Sequence, residues 1–179
     1  MVFFKRLFGI ILFRPSAYRD AAVSSSLFRE SFSILLFVAL TNSLVFSIVK
    51  GINWESAYRF IAPILLGWFS LSWLYVWVLG KFYKIKIPVE SLLRVRGFTS
   101  IFSLLNLLTI KLGPSTGAIM LTDVFVIVSI AADILSIREA GEISTGKAAA
   151  TVILPLILLG FLLLLLLFMF TLIRHFLGQ

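Results

Sequence analysis

Apolar residues in this chain come in long runs divided by short charged stretches, and the runs have the length of membrane helices. The clearest is 148–173, which carries no charged and no amide side chain. As a helix rising 1.5 Å per residue it measures about 39 Å, more than the ~30 Å of bilayer hydrocarbon. A helix in water needs a polar face, and this one has none. The run predicts a tilted or bent membrane span, with Pro155 as the kink. Four earlier runs, 31–49, 60–79, 97–110 and 117–137, complete a set of five. Ahead of them, Met1–Phe13 interleaves Lys5 and Arg6 with aromatic and aliphatic residues, the pattern of a helix lying in the membrane interface. Pro15 then opens a short second helix over 16–25, since proline is tolerated in a first turn. The pattern thus predicts an all-α, polytopic membrane protein. Residues 1–30 form an N-terminal interfacial segment, and 31–179 form a five-span transmembrane domain.

Composition sharpens this picture. Hydrophobic residues make up 60% of the 179, and the mean hydropathy is +1.09, well above the ~45–50% of ordinary soluble domains. The formal net charge of +8 would suggest nucleic-acid binding in a soluble protein. In a chain this apolar it points to basic loops facing anionic lipid headgroups. Twelve of the sixteen basic residues fall in the N-terminal segment, the connection between the second and third spans, and the loop between the fourth and fifth. The positive-inside rule then predicts a cytoplasmic N-terminus and an outer C-terminus in a cell membrane. Cysteine is absent and His175 is the one histidine. Thiolate and histidine metal clusters are excluded, and no cofactor is implied.

Polar residues inside the runs are the candidate sites, because a charge in hydrocarbon costs at least ~2.5–3.5 kcal/mol unless it meets a partner or water. Asp123 is expected about a turn and a half below the outer surface. Antiparallel threading brings Asn42 and Asn106 to a similar depth, with Arg59 above them. This set is either helix–helix glue, with Asp123 bonded to Arg59 or to the amides, or a polar pocket or ion path. Asp133, nearer the cytoplasmic side, pairs with Arg96 or Arg138. Pro88 opens a short helix in which Glu90 and Arg94 make an (i, i+4) pair. Lys81, Lys84, Lys86, Arg94 and Arg96 are expected against anionic headgroups. Trp68, Trp73 and Trp77 are read as packing and interface anchors.

The loop Gly141-Glu-Ile-Ser-Thr-Gly-Lys-Ala148 falls short of a phosphate-binding loop, which needs Ser or Thr after the lysine and a strand before it. In the simpler reading Ser144 or Thr145 caps the last span, the glycines turn the chain and Lys147 reaches the headgroups. The stretch Leu135–Ala148 is nevertheless similar to a family pattern between the last two spans: a basic residue, an apolar-Ser pair, then Lys-Ala. Arg138, Ile143, Ser144, Lys147 and Ala148 take those places. Together with Ile11-Leu-Phe-Arg-Pro-Ser-Ala-Tyr-Arg-Asp20 and Leu93-Arg-Val-Arg-Gly-Phe98, it resembles the YIP family of Ypt/Rab-interacting membrane proteins, above all the prokaryotic members. The resemblance implies five helices, a cytoplasmic N-terminus and no catalytic residues. Eukaryotic members contact Rab GTPases in trafficking, partly through a long cytosolic N-terminal region. Here only residues 1–30 precede the first span and the family's acidic Gly-Pro motif is missing, so GTPase binding is not carried over.

The function expected is that of a non-enzymatic membrane scaffold or trafficking-type assembly partner, binding itself or other membrane proteins. The alternative is a small transporter or channel built around Asp123. An aspartate-dyad protease is excluded on a helix. Asp123 and Asp133 lie ten positions apart, hence about 15 Å apart in depth and roughly 80° apart in direction.

Overall fold

The structure, a computed structural model, describes residues 2–51, 58–105, 107 and 116–177. Among these there is no strand. The elements are α1 (Val2–Ile11), α2 (Pro15–Val23), a 3-10 turn at Ser25–Leu27, α3 (Phe28–Lys50), α4 (Tyr58–Tyr83), α5 (Val89–Thr99), a 3-10 segment at Ser100–Leu105, α6 (Thr116–Gly141) and α7 (Thr145–Leu177). Among the described residues, three helical stretches are long and apolar enough to cross a membrane: Ser25–Val49, Ile61–Tyr83 and Ile119–Gly141. In the latter two, 17% of the most apolar stretch is buried within the chain. Most of their apolar surface therefore does not serve an internal core.

Local chemistry explains most element ends. Pro15 occupies the first turn of α2 and Pro88 precedes α5, where a missing N–H costs no helical bond. Gly51 ends α3 in the left-handed region, φ 63°, and its N–H returns to the Ile48 carbonyl at 3.4 Å. The turn between α6 and α7 departs from expectation. The left-handed residue is Glu142, φ 49°, and not a glycine. The Ile143 N–H bonds the Arg138 carbonyl across it at 3.1 Å. Gly141 serves a different need, since a Cβ there would lie 2.6 Å from Ile87 Cδ1.

The third expected span is described only in part. The stretch expected to begin at 97 starts at Val89 as α5 and tightens into the 3-10 segment; residues 106 and 108–110 lie outside the described ones. α5 is the buried centre of the fold, enclosed by α2, α3, α4 and α6. Arg94 is buried and Arg96 largely so, and each is bonded within the fold where headgroup contact is expected from the sequence. Lys81, Lys84 and Lys86 are exposed. α4 also runs on through Tyr83, leaving only 84–88 as the connection to α5.

The N-terminal helices join the core. Ile10, Tyr18, Ala21 and Ala22 are buried with Val95, Phe98 and Ala132, and the Tyr18 hydroxyl donates to the Ile10 carbonyl at 3.1 Å. A second cluster joins Tyr75 and Leu79 of α4, Leu92 of α5, Ile137 of α6, and Ala148 and Val152 of α7. Both clusters leave exposed Ile119, Met120, Val124, Val126 and Ile127 of α6 and, on α7, Ile153, Ile157, Phe161, Leu164 and Phe168.

At the α3–α5 crossing backbone meets backbone. A Cβ at Gly97 would sit 2.7 Å from the Ser31 carbonyl oxygen and 2.9 Å from its carbonyl carbon. Gly97→Ala is expected to lower the unfolding temperature in detergent, by an overpacking cost of ~1–3 kcal/mol. Gly160→Ala, with nothing within 4 Å of the added carbon, is the control and should hold or raise it, since alanine favours a helix interior.

Candidate functional site

α4, α5 and α6 meet at one buried polar cluster. Trp68, Ser72 and Tyr75 recur at i, i+4 and i+7, so they share a face of α4. α5 presents Arg96 to this face, and α6 presents Asp133. The Arg96 Nε lies 3.0 Å from Asp133 Oδ1, with the two side chains 10% and 19% exposed. Arg96 Nη1 donates to the Trp68 carbonyl and to Ser72 Oγ, both at 3.0 Å. The other carboxylate oxygen, Asp133 Oδ2, accepts from the Tyr75 hydroxyl at 3.1 Å. The guanidinium carbon also stands 5.3 Å from the Tyr75 ring centroid, a cation–π distance. Each charge thus has its opposite and at least one neutral partner, the condition under which a buried ion pair holds its place.

A cleft of about 250 Å³ opens beside the pair, between Pro63, Gly67 and Trp68 on one wall and Thr99, Ser100, Ser103 and Ser129 on the other. Three of these hydroxyls turn back onto their own helix: Thr99 to the Arg96 carbonyl, Ser100 to that of Gly97 and Ser103 to that of Ser100. Trp68 closes the cleft toward α5 by donating its indole N–H to the Leu93 carbonyl at 3.1 Å. It is a packing residue, against Phe28 and Phe32, while Trp73 and Trp77 are exposed. No group of three His, Asp or Glu side chains suited to a metal ion occurs among the described residues.

Two further ion networks fasten α2. Arg94, buried on α5, donates Nε to the Ala21 carbonyl at 3.3 Å and Nη2 to the Ala22 carbonyl and to Ser91 Oγ. These are last-turn carbonyls of α2, which lack helical partners and attract a cation. The expected Glu90–Arg94 bond gives way to them because α2 covers Arg94. Burial lowers the Arg94 pKa from its ordinary value, and Glu90 opposes that shift. Glu139 is the residue the sequence reading missed. It is 5% exposed and takes Arg138 at 2.6 Å and Arg19 at 3.2 Å. Arg19 is distant in the chain, so no spacing rule announces the contact. Arg138 is thereby committed to Glu139 and, at 3.5 Å, to Thr145 Oγ1, while Asp133 belongs to Arg96. Burial raises the pKa of the Tyr18 hydroxyl, and the Asp133 charge adds to the effect.

The other sequence candidates fall as follows. Asn42 Nδ2 donates to Ser103 Oγ at 3.2 Å. Asp123 is exposed on α6, with no hydrogen-bonding or ion-pair partner among the described residues. Asn106 and the Arg59 side chain lie outside the described residues. In the family-like loop, Ser144 and Lys147 are exposed, the Ser144 carbonyl accepts the Ala148 N–H at 3.1 Å, and Ala148 is fully buried.

If the Arg96–Asp133 pair holds the three helices, breaking one side costs more than replacing both. Arg96→Met or Asp133→Leu alone should destabilise by ~3–5 kcal/mol, because each leaves a buried charge unmet. The double variant should lose less than either single change, read by thermal unfolding in detergent. Tyr75→Phe, which removes one hydrogen bond to a charged group, should cost ~1–3 kcal/mol.

No family model, curated protein or solved structure matches this chain.

Proposed function

We propose that the chain is a non-enzymatic, multi-pass membrane protein of the YIP type, acting as a scaffold on which other membrane proteins, or further copies of this chain, assemble. It sits in a prokaryotic cytoplasmic membrane and crosses it five times, the third passage being the stretch 97–110. The N-terminus is cytoplasmic and the C-terminus outside. The observation that carries this reading is the saturation of the Arg96–Asp133 pair. Its charges hold each other and three helices, which is the use of intramembrane polarity as glue. The broad apolar faces of α3, α4, α6 and α7 supply surface for lipid and for partner helices.

Orientation has its own support. Ile87 in the α4–α5 connection packs on Gly141 at the α6–α7 turn, and Arg19 of α2 reaches Glu139 beside that turn. The three basic segments thus converge on one end of the bundle, as the positive-inside rule requires of cytoplasmic segments. GTPase binding forms no part of the proposal.

A reporter fused after Gln179 should register the outside of the membrane; a cytoplasmic signal would overturn the five-span orientation. Affinity purification of the full chain in mild detergent should retain a defined membrane-protein partner or a stable oligomer. A proton- or cation-dependent flux in proteoliposomes that disappears in Asp123→Asn, with stability unchanged, would replace the scaffold by a transporter.

A further inference from the structure

A second polar concavity lies away from the helix-joining cluster, where α1 crosses α2. Gly9 and Ala17 make the crossing close, since a Cβ on Gly9 would lie 2.7 Å from that of Ala17. Phe13, φ 53°, reverses the chain, and the Arg14 N–H returns to the Gly9 carbonyl at 2.8 Å. The crevice left beside this crossing measures about 270 Å³ and is lined by Lys5, Arg6, Arg14, Ser16 and Asp20. Three cations therefore face one carboxylate. Arg6 is also tied to Glu30 at 3.5 Å, which orients it, while Lys5 and Arg14 are exposed. The outer face of α1 carries Phe4 and Phe8, and Leu12 follows just past its end, each at least 60% exposed. At i, i+4 and i+8 they form one apolar stripe, the mark of a helix seated at the level of lipid headgroups.

We infer that this crevice binds the phosphate of an anionic phospholipid. The excess of cations suits a phosphodiester, which arginine holds through two donors and lysine as a point charge. The adjoining aromatic stripe favours a lipid over free phosphate, because acyl chains reach apolar surface that inorganic phosphate does not. The inference rests on the membrane placement of the chain and not on its assembly role. A failed lipid test therefore leaves partner capture to be judged separately. It also concerns residues other than Lys81, Lys84 and Lys86, whose exposed ammonium groups make a diffuse contact with any charged leaflet.

The test uses the full chain in mild detergent, titrated with short-chain phosphatidylglycerol and followed by thermal shift and native mass spectrometry. Phosphatidylglycerol should bind with a defined stoichiometry, phosphatidylcholine far more weakly, and inorganic phosphate at equal concentration without effect. Each basic residue beside an anionic surface is worth about fivefold in affinity. Lys5→Gln with Arg14→Gln should therefore weaken binding by more than tenfold. Asp20→Asn, which removes the carboxylate lining the crevice and cannot be mistaken for misfolding, should tighten it several-fold. Gln at positions 81, 84 and 86 together should leave this stoichiometric binding intact. Unchanged affinity in the Lys5/Arg14 pair, or a loss confined to the triple lysine variant, overturns the inference. An equal response to inorganic phosphate replaces the lipid by a free anion.

Discussion

The fold depends on one constraint: a buried guanidinium must be met on every side. Arg96 reaches Asp133, Ser72 and the Trp68 carbonyl at 3.0 Å each, and those groups belong to two other helices. Apolar helices in hydrocarbon have little to fix their rotation or depth, since lipid tails and leucine side chains are equally apolar. A single ion pair with directional partners supplies both. α4, α5 and α6 can slide or turn only by breaking those bonds.

Around that pair the packing is set by backbone proximity more than by bulk. Gly97 lets α5 approach the Ser31 backbone, Gly141 lets the α6–α7 turn lie on Ile87, and Gly9 lets α1 approach α2. Small residues at crossings are how helices associate where burial from water contributes little. The ion networks of Arg94 and Glu139 then bind the N-terminal helices to the same frame. α2 therefore does more than rest on a membrane surface: its last carbonyls are capped by an arginine from the centre of the fold. The apolar surface left outside this frame, along α6 and α7, is the part of the molecule suited to lipid and to partners.

Much of this was legible in the sequence. Unbroken apolar runs permit only helices of membrane length, and capping chemistry at Pro15, Gly51 and Pro88 marks where elements start or stop. Charge inside such runs signals a polar contact: on that ground Asp133 is matched to Arg96 or Arg138, and it meets Arg96, whereas Asp123, singled out by the same rule, lies exposed. The role of α5 was not legible. Its stretch was read as part basic connection and part span, because hydropathy averages over a window and ignores which neighbours surround it. Arg94 in such a window reads as a surface cation until α2 is placed over it.

Composition and hydrophobic period are local properties, and they suffice for the class: helices throughout, an apolar exterior, basic connections and no cysteine- or histidine-based metal chemistry. Which polar groups meet is set by the packing of the helices. Asp133 had two arginines within plausible reach and takes Arg96, because α5 lies against α6 at that depth while Arg138 is drawn to Glu139. Asn42 meets Ser103, and Glu139 draws in Arg19 from α2. Each of these three pairings joins residues at least 37 positions apart in the chain. A period of 3.6 residues carries no information about which distant helix a side chain will face.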